Sequence, residues 1–118
     1  MQYLLLIYDN EKEFDSRPPA AQQKVLGEYM AFGQWIQSSG HAVGSNRLRP
    51  VADATTVRVR NGKVATTDGP FAETREQLGG YYLVEAKDLD EAIQIAAKIP
   101  SAQFGSIEVR PIWVMQRD

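Results

Sequence analysis

Residues 3–8 have the sequence Tyr-Leu-Leu-Leu-Ile-Tyr, and this short apolar run decides how the rest of the chain is interpreted. It is followed by Asp9 and Asn10, which are typical of a turn, so the run predicts a buried strand. Side chains alternate across a strand, and here both alternating sets are apolar. Helices of the chain can cover only one face of a sheet, so the other face needs loops or a second copy. We predict a homodimer in which two sheets face each other.

Outward from this strand, the apolar pattern changes between strand and helix periods. Asn61-Gly62 is the strongest hairpin signal in the chain, and Asp88 with Glu91 forms a helix-capping pattern. The predicted elements, in order, are strand 3–8, a helix from 20 that stops at Gly40, strands 55–60 and 63–67, strand 81–86, a helix from 88 that ends at Pro100, and strand 106–114. Residues 42–48 form a short segment without an assigned structure, and a helical turn is expected at 72–78. The buried face of the helix from 88 is expected to contain Leu89, Ala92, Ile93, Ala96 and Ala97. This order predicts an α+β, ferredoxin-like βαββαβ fold with an antiparallel sheet, as one domain over residues 1–118.

The composition excludes several classes of site. The 118 residues include no cysteine and one histidine, which rules out disulfides, thiolate metal sites and a zinc site of several histidines. The net charge of -2 argues against direct nucleic-acid binding. The apolar run 3–8 is far shorter than the ~20 residues that cross a bilayer, and no basic segment precedes it. We therefore expect a cytoplasmic protein without membrane contact, and we predict no metal and no cofactor.

Asp68, at the end of the second hairpin strand, is the first candidate for chemistry. A carboxylate at a strand end can act as a general base where it is partly desolvated. An aspartate before Gly69 and Pro70 also accepts backbone N–H bonds and fixes a turn, which Phe71 would anchor in the core. The sequence leaves both roles open.

Arginines are the candidates for binding an anion. Arg58 and Arg60 share one face of their strand, because they are two residues apart, and the valines of that strand would lie under the helices. Arg47 and Arg49 have the same spacing in the preceding segment. If these side chains converge, they can bind a carboxylate or a phosphate through paired hydrogen bonds. A solvated sheet face is the alternative.

His41 and Tyr81 complete the set of candidate binding residues. His41 follows the end of the first helix, where a histidine either takes part in a site or neutralises the helix terminus. Tyr81 and Tyr82 must face opposite sides of their strand, so one is expected in the core and the other on the dimer side. Aromatic side chains here would line a ligand pocket or form part of the core and the interface.

Two stretches, DGPFAET at 68–74 and EQLGGYY at 76–82, resemble the DGPF branch of the YCII-related family. Residues 1–8, 88–92 and 108–112 fit the same pattern, so the resemblance covers nearly the whole chain. It implies a dimeric ferredoxin-like fold, also called a dimeric α/β barrel. Family members are mostly uncharacterised, and some bacterial ones are encoded beside alternative sigma factors. A few relatives are small enzymes that act on ring compounds, similar to dehydrochlorinases and muconolactone isomerases.

The chain departs from the family pattern at one point. The resemblance implies a His–Asp pair whose histidine lies in the first helix, near the position of Tyr29, but this helix has no histidine. Three functions stay in competition. The first is a homodimer that binds a small anionic or aromatic ligand, with a link to sigma-factor regulation. The second is a cofactor-free lyase or isomerase with Asp68 as its acid–base group, and the third is a protein-interaction module.

Overall fold

The computed structural model describes residues 1–115 as strands and helices joined by short connections. The elements, in chain order, are β1 (Gln2–Asp9), α1 (Glu11–Asp15), α2 (Pro19–Ser38), β2 (Ala42–Arg47), β3 (Thr55–Arg60), β4 (Lys63–Asp68), β5 (Gln77–Glu85), α3 (Leu89–Ala97) and β6 (Ser106–Pro111). Short 3-10 helices lie at Val51–Asp53 and Pro100–Gln103. Within residues 1–115, no helix is long and apolar enough to cross a membrane.

The main sheet has four strands in the order β2-β5-β1-β6, and every neighbouring pair is antiparallel. Numbered by their order in the chain, these strands run 2-3-1-4 across the sheet, which is the ferredoxin-like arrangement. Residues from α2 and α3 join one buried cluster with the inner side chains of β1. The predicted α+β, ferredoxin-like fold is therefore confirmed.

The sequence analysis was wrong about which segments enter this sheet. Within residues 1–115, strands β3 and β4 pair with each other and with no other strand, so they form a separate two-stranded sheet, and we call residues 55–68 the arm. The second strand of the main sheet is β2, which the sequence analysis left as an unassigned short segment. Its residues Gly44, Ser45 and Asn46 have low strand propensity, so the apolar alternation that reveals a strand is missing.

The core lies between one face of β1 and the two long helices. Tyr3, Leu5 and Ile7 are buried on that face, whereas the intervening Leu4 and Leu6 are half-buried on the other, open face. The helices contribute Val25, Phe32 and Ile36 from α2, and Ala92, Ile95 and Ala96 from α3. The alternation predicted for the first strand is thus the division between a helix-covered face and an open face.

Other local predictions met different outcomes. The Asn61-Gly62 hairpin is confirmed, since both residues have positive φ (54° and 75°), as a tight two-residue turn requires. Phe71 was expected in the core but is 79% exposed, and the helical turn expected at residues 72–78 is absent. Both errors concern the segment that links the arm to β5, none of whose residues joins the buried core cluster.

The valines of the arm and the face of α3 were also misassigned. Val57 and Val59 were expected under the helices but are exposed, because the arm is not part of the sheet that the helices cover. In α3, Leu89 and Ile93 were expected on the buried face, but each is 49% exposed, and Ile95 is buried instead. The helix is therefore rotated by about one residue from the predicted orientation.

The predicted N-cap of α3 is confirmed and supports a stability prediction. The Asp88 carboxylate accepts a hydrogen bond from the backbone N–H of Glu91 at 2.9 Å, and the Glu91 carboxylate accepts one from the N–H of Lys87. Asp88→Ala is expected to lower the free energy of unfolding by about 1 kcal/mol, measured by urea denaturation. Asp88→Asn keeps a capping oxygen and should stay close to the wild type. An equal loss in both variants would show that charge, and not the cap, is responsible.

Candidate functional site

A cavity of about 730 Å³ lies between α2 and the helix-covered face of the main sheet, where β1 ends and α1 begins. Ile7, Phe14 and Val25 supply apolar lining. The polar lining groups that matter for its chemistry are Asp9, Glu11, Tyr29, Arg47, Tyr82 and Ser101. This volume is within the range of sites that bind small molecules, and so is the mixture of apolar walls with a few polar groups.

Asp9 is the carboxylate at the end of β1. The pairing of β1 with β5 shifts between Ile7 and Tyr8, so Gly79 is an extra residue in β5 and the strand end is irregular. Burial is the main cause that raises the pKa of Asp9 above its ordinary value, and the negative charges of Glu11 and Glu76 add to the effect. The positive charges of Arg47 and Arg17 oppose the shift but do not cancel it.

Tyr29 of α2 brings a phenol to the same cavity. Its hydroxyl lies 2.5 Å from the hydroxyl of Ser101, which is 2% exposed, so the bond ties α2 to the second 3-10 helix. Burial raises the pKa of Tyr29, although the bonds to Ser101 partly oppose it, so this phenol stays neutral at neutral pH. The family resemblance implied a histidine near this position, and the structure puts a neutral hydroxyl there.

Tyr82 also faces the cavity, and its ring is partly buried. Its ring packs edge-to-face against Phe32, with the ring centroids 5.0 Å apart. Burial raises the pKa of the Tyr82 phenol, and the proximity of Tyr29 raises it further. The cavity therefore contains two neutral phenols together with a carboxyl group, that of Asp9, whose pKa is raised by burial.

Arg47 brings a positive charge to the cavity, and a glycine opposite it in β5 lets the two strands lie close together. Arg47 pairs with Gly80 in the register of β2 and β5. A Cβ atom at Gly80 would lie 2.8 Å from the carbonyl oxygen of Asn46 and 3.4 Å from the Cα of Arg47. A side chain at residue 80 would therefore push β2 away from β5. The charge of Arg47 is felt at both Asp9 and Tyr29, because it lowers both pKa values.

Arg47, Arg49 and Tyr81 are the predicted candidates that border the cavity. Tyr81 pairs with Leu6 and Tyr82 with Leu5, so the two tyrosines face opposite sides of the sheet, as predicted. The hydroxyl of Tyr81 accepts a hydrogen bond from the side-chain amide of Asn46 at 2.7 Å. Tyr81 thus lies at the edge of the cavity with its ring toward the open face.

Asp68, Arg58 and Arg60 lie in the arm, are exposed, and are not among the residues that line the cavity. The N–H of Gly69, the residue after Asp68, donates to the carbonyl of Ala54 at 2.7 Å and so extends the pairing of β3 with β4. The predicted gathering of four arginines is not found, because two belong to the arm and two border the cavity. The catalytic role of Asp68 and the binding roles of Arg58 and Arg60 stay predictions.

His41 follows the C-terminal end of α2 and contacts the C-terminal end of β5. Its Nδ1 lies 2.7 Å from the carbonyl oxygen of Glu85 and 3.9 Å from a carboxylate oxygen of Glu91, and its ring packs beside Trp35. These contacts are outside the cavity and hold secondary-structure elements together. The binding role of His41 stays a prediction.

Sequence reasoning missed Asp9, Tyr29 and Ser101. Asp9 was interpreted only as a turn residue, although a carboxylate directly after a central strand is well placed to enter a site. Tyr29 was noted as the position of a missing histidine but was not considered as its replacement. Ser101 gave no signal, because its role depends on how the 3-10 helix packs against α2.

Asp9→Asn is expected to raise the free energy of unfolding at neutral pH. The folded-state pKa of Asp9 exceeds the ordinary 3.8, so the stability that its protonated form provides is present below that value. That stability is lost as pH rises through the folded-state pKa. Asparagine cannot ionise, so its advantage should appear at neutral pH and vanish below about pH 3.8.

Urea denaturation across this pH range measures the effect. Asp68→Asn is the matched control, because it removes an equal charge from the exposed arm. The increase in the free energy of unfolding of Asp9→Asn must exceed any change in Asp68→Asn. A loss of stability in Asp9→Asn at neutral pH would instead mean that the ionised carboxylate helps to hold the fold.

Comparisons with known proteins agree with the fold described above. The family model of the YCII-related domain matches residues 1–116. An uncharacterised protein of Rhizobium meliloti (strain 1021) is 35% identical over 114 residues, which span 95% of this chain and 92% of that protein. A solved structure, 5-chloro-2-hydroxyhydroquinone dehydrochlorinase from Burkholderia phenoliruptrix AC1100 in complex with 2,5-dihydroxybenzoquinone, has a similar fold. Its TM-score is 0.52 at 14% identity, with 96% of this chain and 94% of that chain covered. The family match over nearly the whole chain places this protein in the YCII-related family.

Proposed function

We propose that this protein binds a small anionic or aromatic molecule in the cavity between α2 and the main sheet. The cavity carries the proposal, because its volume of about 730 Å³ suits a single-ring compound and its walls combine both required chemistries. Arg47 supplies a guanidinium group for an anionic oxygen. Phe14 and Tyr82 supply aromatic surface against which a ring can pack.

A cofactor-free lyase or isomerase is the second candidate, and Asp9 is the observation that favours it. A half-buried carboxylate with a raised pKa beside a cavity is typical of a general base or acid. Such an enzyme would use Asp9 in the role that the sequence analysis gave to Asp68. The similar fold of a dehydrochlorinase is compatible with this candidate, but at 14% identity it does not extend to activity.

The chemical step can be written with these residues. Asp9, as a carboxylate, takes a proton from a carbon next to a carbonyl group of the substrate. The electron pair of that C–H bond moves to the carbonyl oxygen, where Arg47 neutralises the negative charge and the Tyr29 hydroxyl donates a hydrogen bond. An isomerase then returns the proton from Asp9 to a different carbon. A lyase instead uses the electron pair to expel an anion from the adjacent carbon.

A thermal-shift panel tests binding, with benzoate, catechol, inorganic phosphate and 2,5-dihydroxybenzoquinone as probes. A probe at a hundred times its dissociation constant stabilises the folded protein by about 2.7 kcal/mol, which gives a clear shift. Arg47→Gln is expected to raise the dissociation constant of an anionic probe at least tenfold. Arg58→Gln removes the same charge from the arm and is the matched control.

Outcomes of the panel separate the candidates. A probe that no longer binds to Arg47→Gln but still binds to Arg58→Gln supports the cavity as the binding site. A probe that depends on Arg58 instead contradicts it, as does a panel in which no probe binds at millimolar concentration, and an interaction module would then be the better candidate. For a probe that is also turned over, Asp9→Asn should reduce the rate by a factor of about 10²–10⁴. Binding without turnover would leave the protein a binding module.

We also propose that the functional unit is a cytoplasmic homodimer, linked to sigma-factor regulation as the resemblance implies. The open face of the main sheet supports the dimer, since Leu4, Leu6 and Leu83 lie there by register and the helices lie on the other side. Sedimentation velocity of the purified protein tests it. Leu6→Lys is expected to shift a dimer to monomer, whereas sedimentation of the wild type as a monomer at all concentrations would contradict the proposal.

A further inference from the structure

Tyr29 and Ser101 form a pair of hydroxyl groups in the wall of the cavity. Their oxygen atoms lie 2.5 Å apart, and within residues 1–115 neither hydroxyl bonds to a third residue. In such a pair one hydroxyl donates its proton and the other accepts. The accepting hydroxyl keeps its own proton, which then needs an acceptor elsewhere. The direction of this bond therefore decides which proton is available to a ligand.

The difference in burial between the two side chains indicates the direction of the bond. Both residues border the cavity, but Ser101 is 2% exposed, whereas Tyr29 is only half-buried. If Tyr29 donated to Ser101, the serine proton would be buried without an acceptor, which costs free energy. If Ser101 donates to Tyr29, the phenol proton can reach the cavity, where water or a ligand accepts it. The second arrangement satisfies both protons.

The backbone of Ser101 acts on the same phenol oxygen. Pro100 begins the second 3-10 helix, so the N–H of Ser101 is among the first groups of that helix, which have no partner within it. Hydrogen bonds from both the side chain and the backbone of Ser101 lower the pKa of Tyr29. A hydrogen bond has this effect when it is donated to the phenol oxygen. The proton of Tyr29 is then directed away from Ser101.

We propose that Ser101 holds the Tyr29 hydroxyl as a donor, and that this donor and Arg47 form a subsite for a negatively charged oxygen of the ligand. Arg47 borders the same cavity. A carboxylate, phenolate or enolate oxygen accepts from the phenol and pairs with the guanidinium group at the same time. Ser101 is a positioning residue, because it acts on the ligand through Tyr29. This inference rests on the proposed function, and it narrows the ligand class to molecules with an anionic oxygen.

Benzoate and nitrobenzene test the subsite, because they have nearly the same shape and only benzoate is charged. Tyr29→Phe removes the donor and keeps the ring. Its dissociation constant for benzoate, from titration calorimetry, is expected to rise by a factor of about 10–100, while that for nitrobenzene stays nearly unchanged. Ser101→Ala should raise the benzoate constant by a factor of about 2–10. Ser38→Ala is the matched control, because it removes an exposed hydroxyl at the end of α2 that does not line the cavity, and it should have no effect.

A double variant shows whether Ser101 acts through Tyr29. Addition of Ser101→Ala to Tyr29→Phe should not weaken benzoate binding further, since the group that Ser101 positions is already absent. Ser101→Thr keeps a hydroxyl and should bind benzoate more tightly than Ser101→Ala does. Its extra methyl group enters a fully buried position, so urea denaturation must show that the fold is retained before the dissociation constants are compared.

Neutron diffraction measures the direction of the bond in the wild type without a ligand. In a crystal exchanged into D₂O, the hydroxyl hydrogens are replaced by deuterium, whose positions are visible in neutron maps. The deuterium of Ser101 is expected between the two oxygen atoms, and that of Tyr29 on the side of the cavity. This measurement requires no substitution, so it does not depend on the stability of any variant.

The outcomes separate this inference from the proposed function. A Tyr29 deuterium between the two oxygen atoms overturns the inference, and so does an unchanged or lower benzoate constant in Ser101→Ala. Benzoate binding that depends on Arg47 but not on Tyr29 overturns the subsite and leaves the binding cavity standing. A wild type that binds catechol but not benzoate has the same meaning. A wild type that binds none of the probes overturns both proposals.

Discussion

Leu5→Ala is expected to lower the free energy of unfolding by about 2–5 kcal/mol. Leu5 is fully buried in the middle of β1, between Tyr82 on β5 and Val109 on β6. Helices α2 and α3 close the core over it, so the surrounding side chains have little freedom to fill the space that alanine leaves. The cost combines the lost burial of the leucine with the cavity that remains.

Equilibrium urea denaturation measures this loss against a leucine that the sequence analysis placed in the core. Leu89 is 49% exposed at the start of α3, and Leu89→Ala makes the same chemical change. It should cost less than about 1 kcal/mol, because most of its surface is already in water. Losses of similar size at both positions would contradict the orientation of α3 described above.

Gly105→Ala is expected to lower the free energy of unfolding by about 1–3 kcal/mol and to disturb Asp9. A Cβ atom at residue 105 would collide with the carbonyl oxygen of Tyr8 and would lie 3.1 Å from the Cβ of Asp9. The first contact is with backbone of the central strand, which cannot give way as a flexible side chain does. The turn before β6 must move, or the end of β1 must, and either movement shifts Asp9 relative to Arg47.

Two measurements separate the local effect from general destabilisation. Gly33→Ala is the control, because it lies within α2 with no atom within 4 Å of the added carbon, and it should stabilise the protein by about 0.5–1 kcal/mol. Carbon NMR titration of the Asp9 carboxyl should show a changed pKa in Gly105→Ala and an unchanged one in Gly33→Ala. A Gly105→Ala variant with wild-type stability would mean that this turn does not pack on β1 as described.

The fold could be predicted largely because three of its signals are local. The apolar run of β1, the Asn61-Gly62 turn and the Asp88 cap each act through residues close in sequence, and all three are confirmed. The strand β2 escaped prediction because its pairing with β5 is long-range and its own residues carry little strand propensity. The arm was placed in the wrong sheet although its local signal is strong. A hairpin signal predicts that two strands pair with each other, but it does not predict which other strands they join.

The candidate site was predictable only in part, for a related reason. Arg47 and Tyr81 were named in advance and do border the cavity. Asp9, Tyr29 and Ser101 come from three separate elements, and their proximity is set by tertiary packing. No spacing in the sequence encodes that proximity. The DGPF stretch drew attention to Asp68, although its exposed position in the arm suits a turn better than an enclosed site.

Because Tyr29 and Tyr82 line the cavity and are partly buried, their absorbance gives an intrinsic spectroscopic signal for the cavity. Both phenols have raised pKa values, so they turn into phenolates only in more alkaline solution than an ordinary tyrosine. Phenolate absorbs at longer wavelength than phenol, so an alkaline titration followed by ultraviolet absorbance includes the ionisation of these two rings. A molecule that fills the cavity excludes more water from them and moves their ionisation further toward high pH. Occupancy of the cavity can thus be followed by absorbance, without any label attached to the chain.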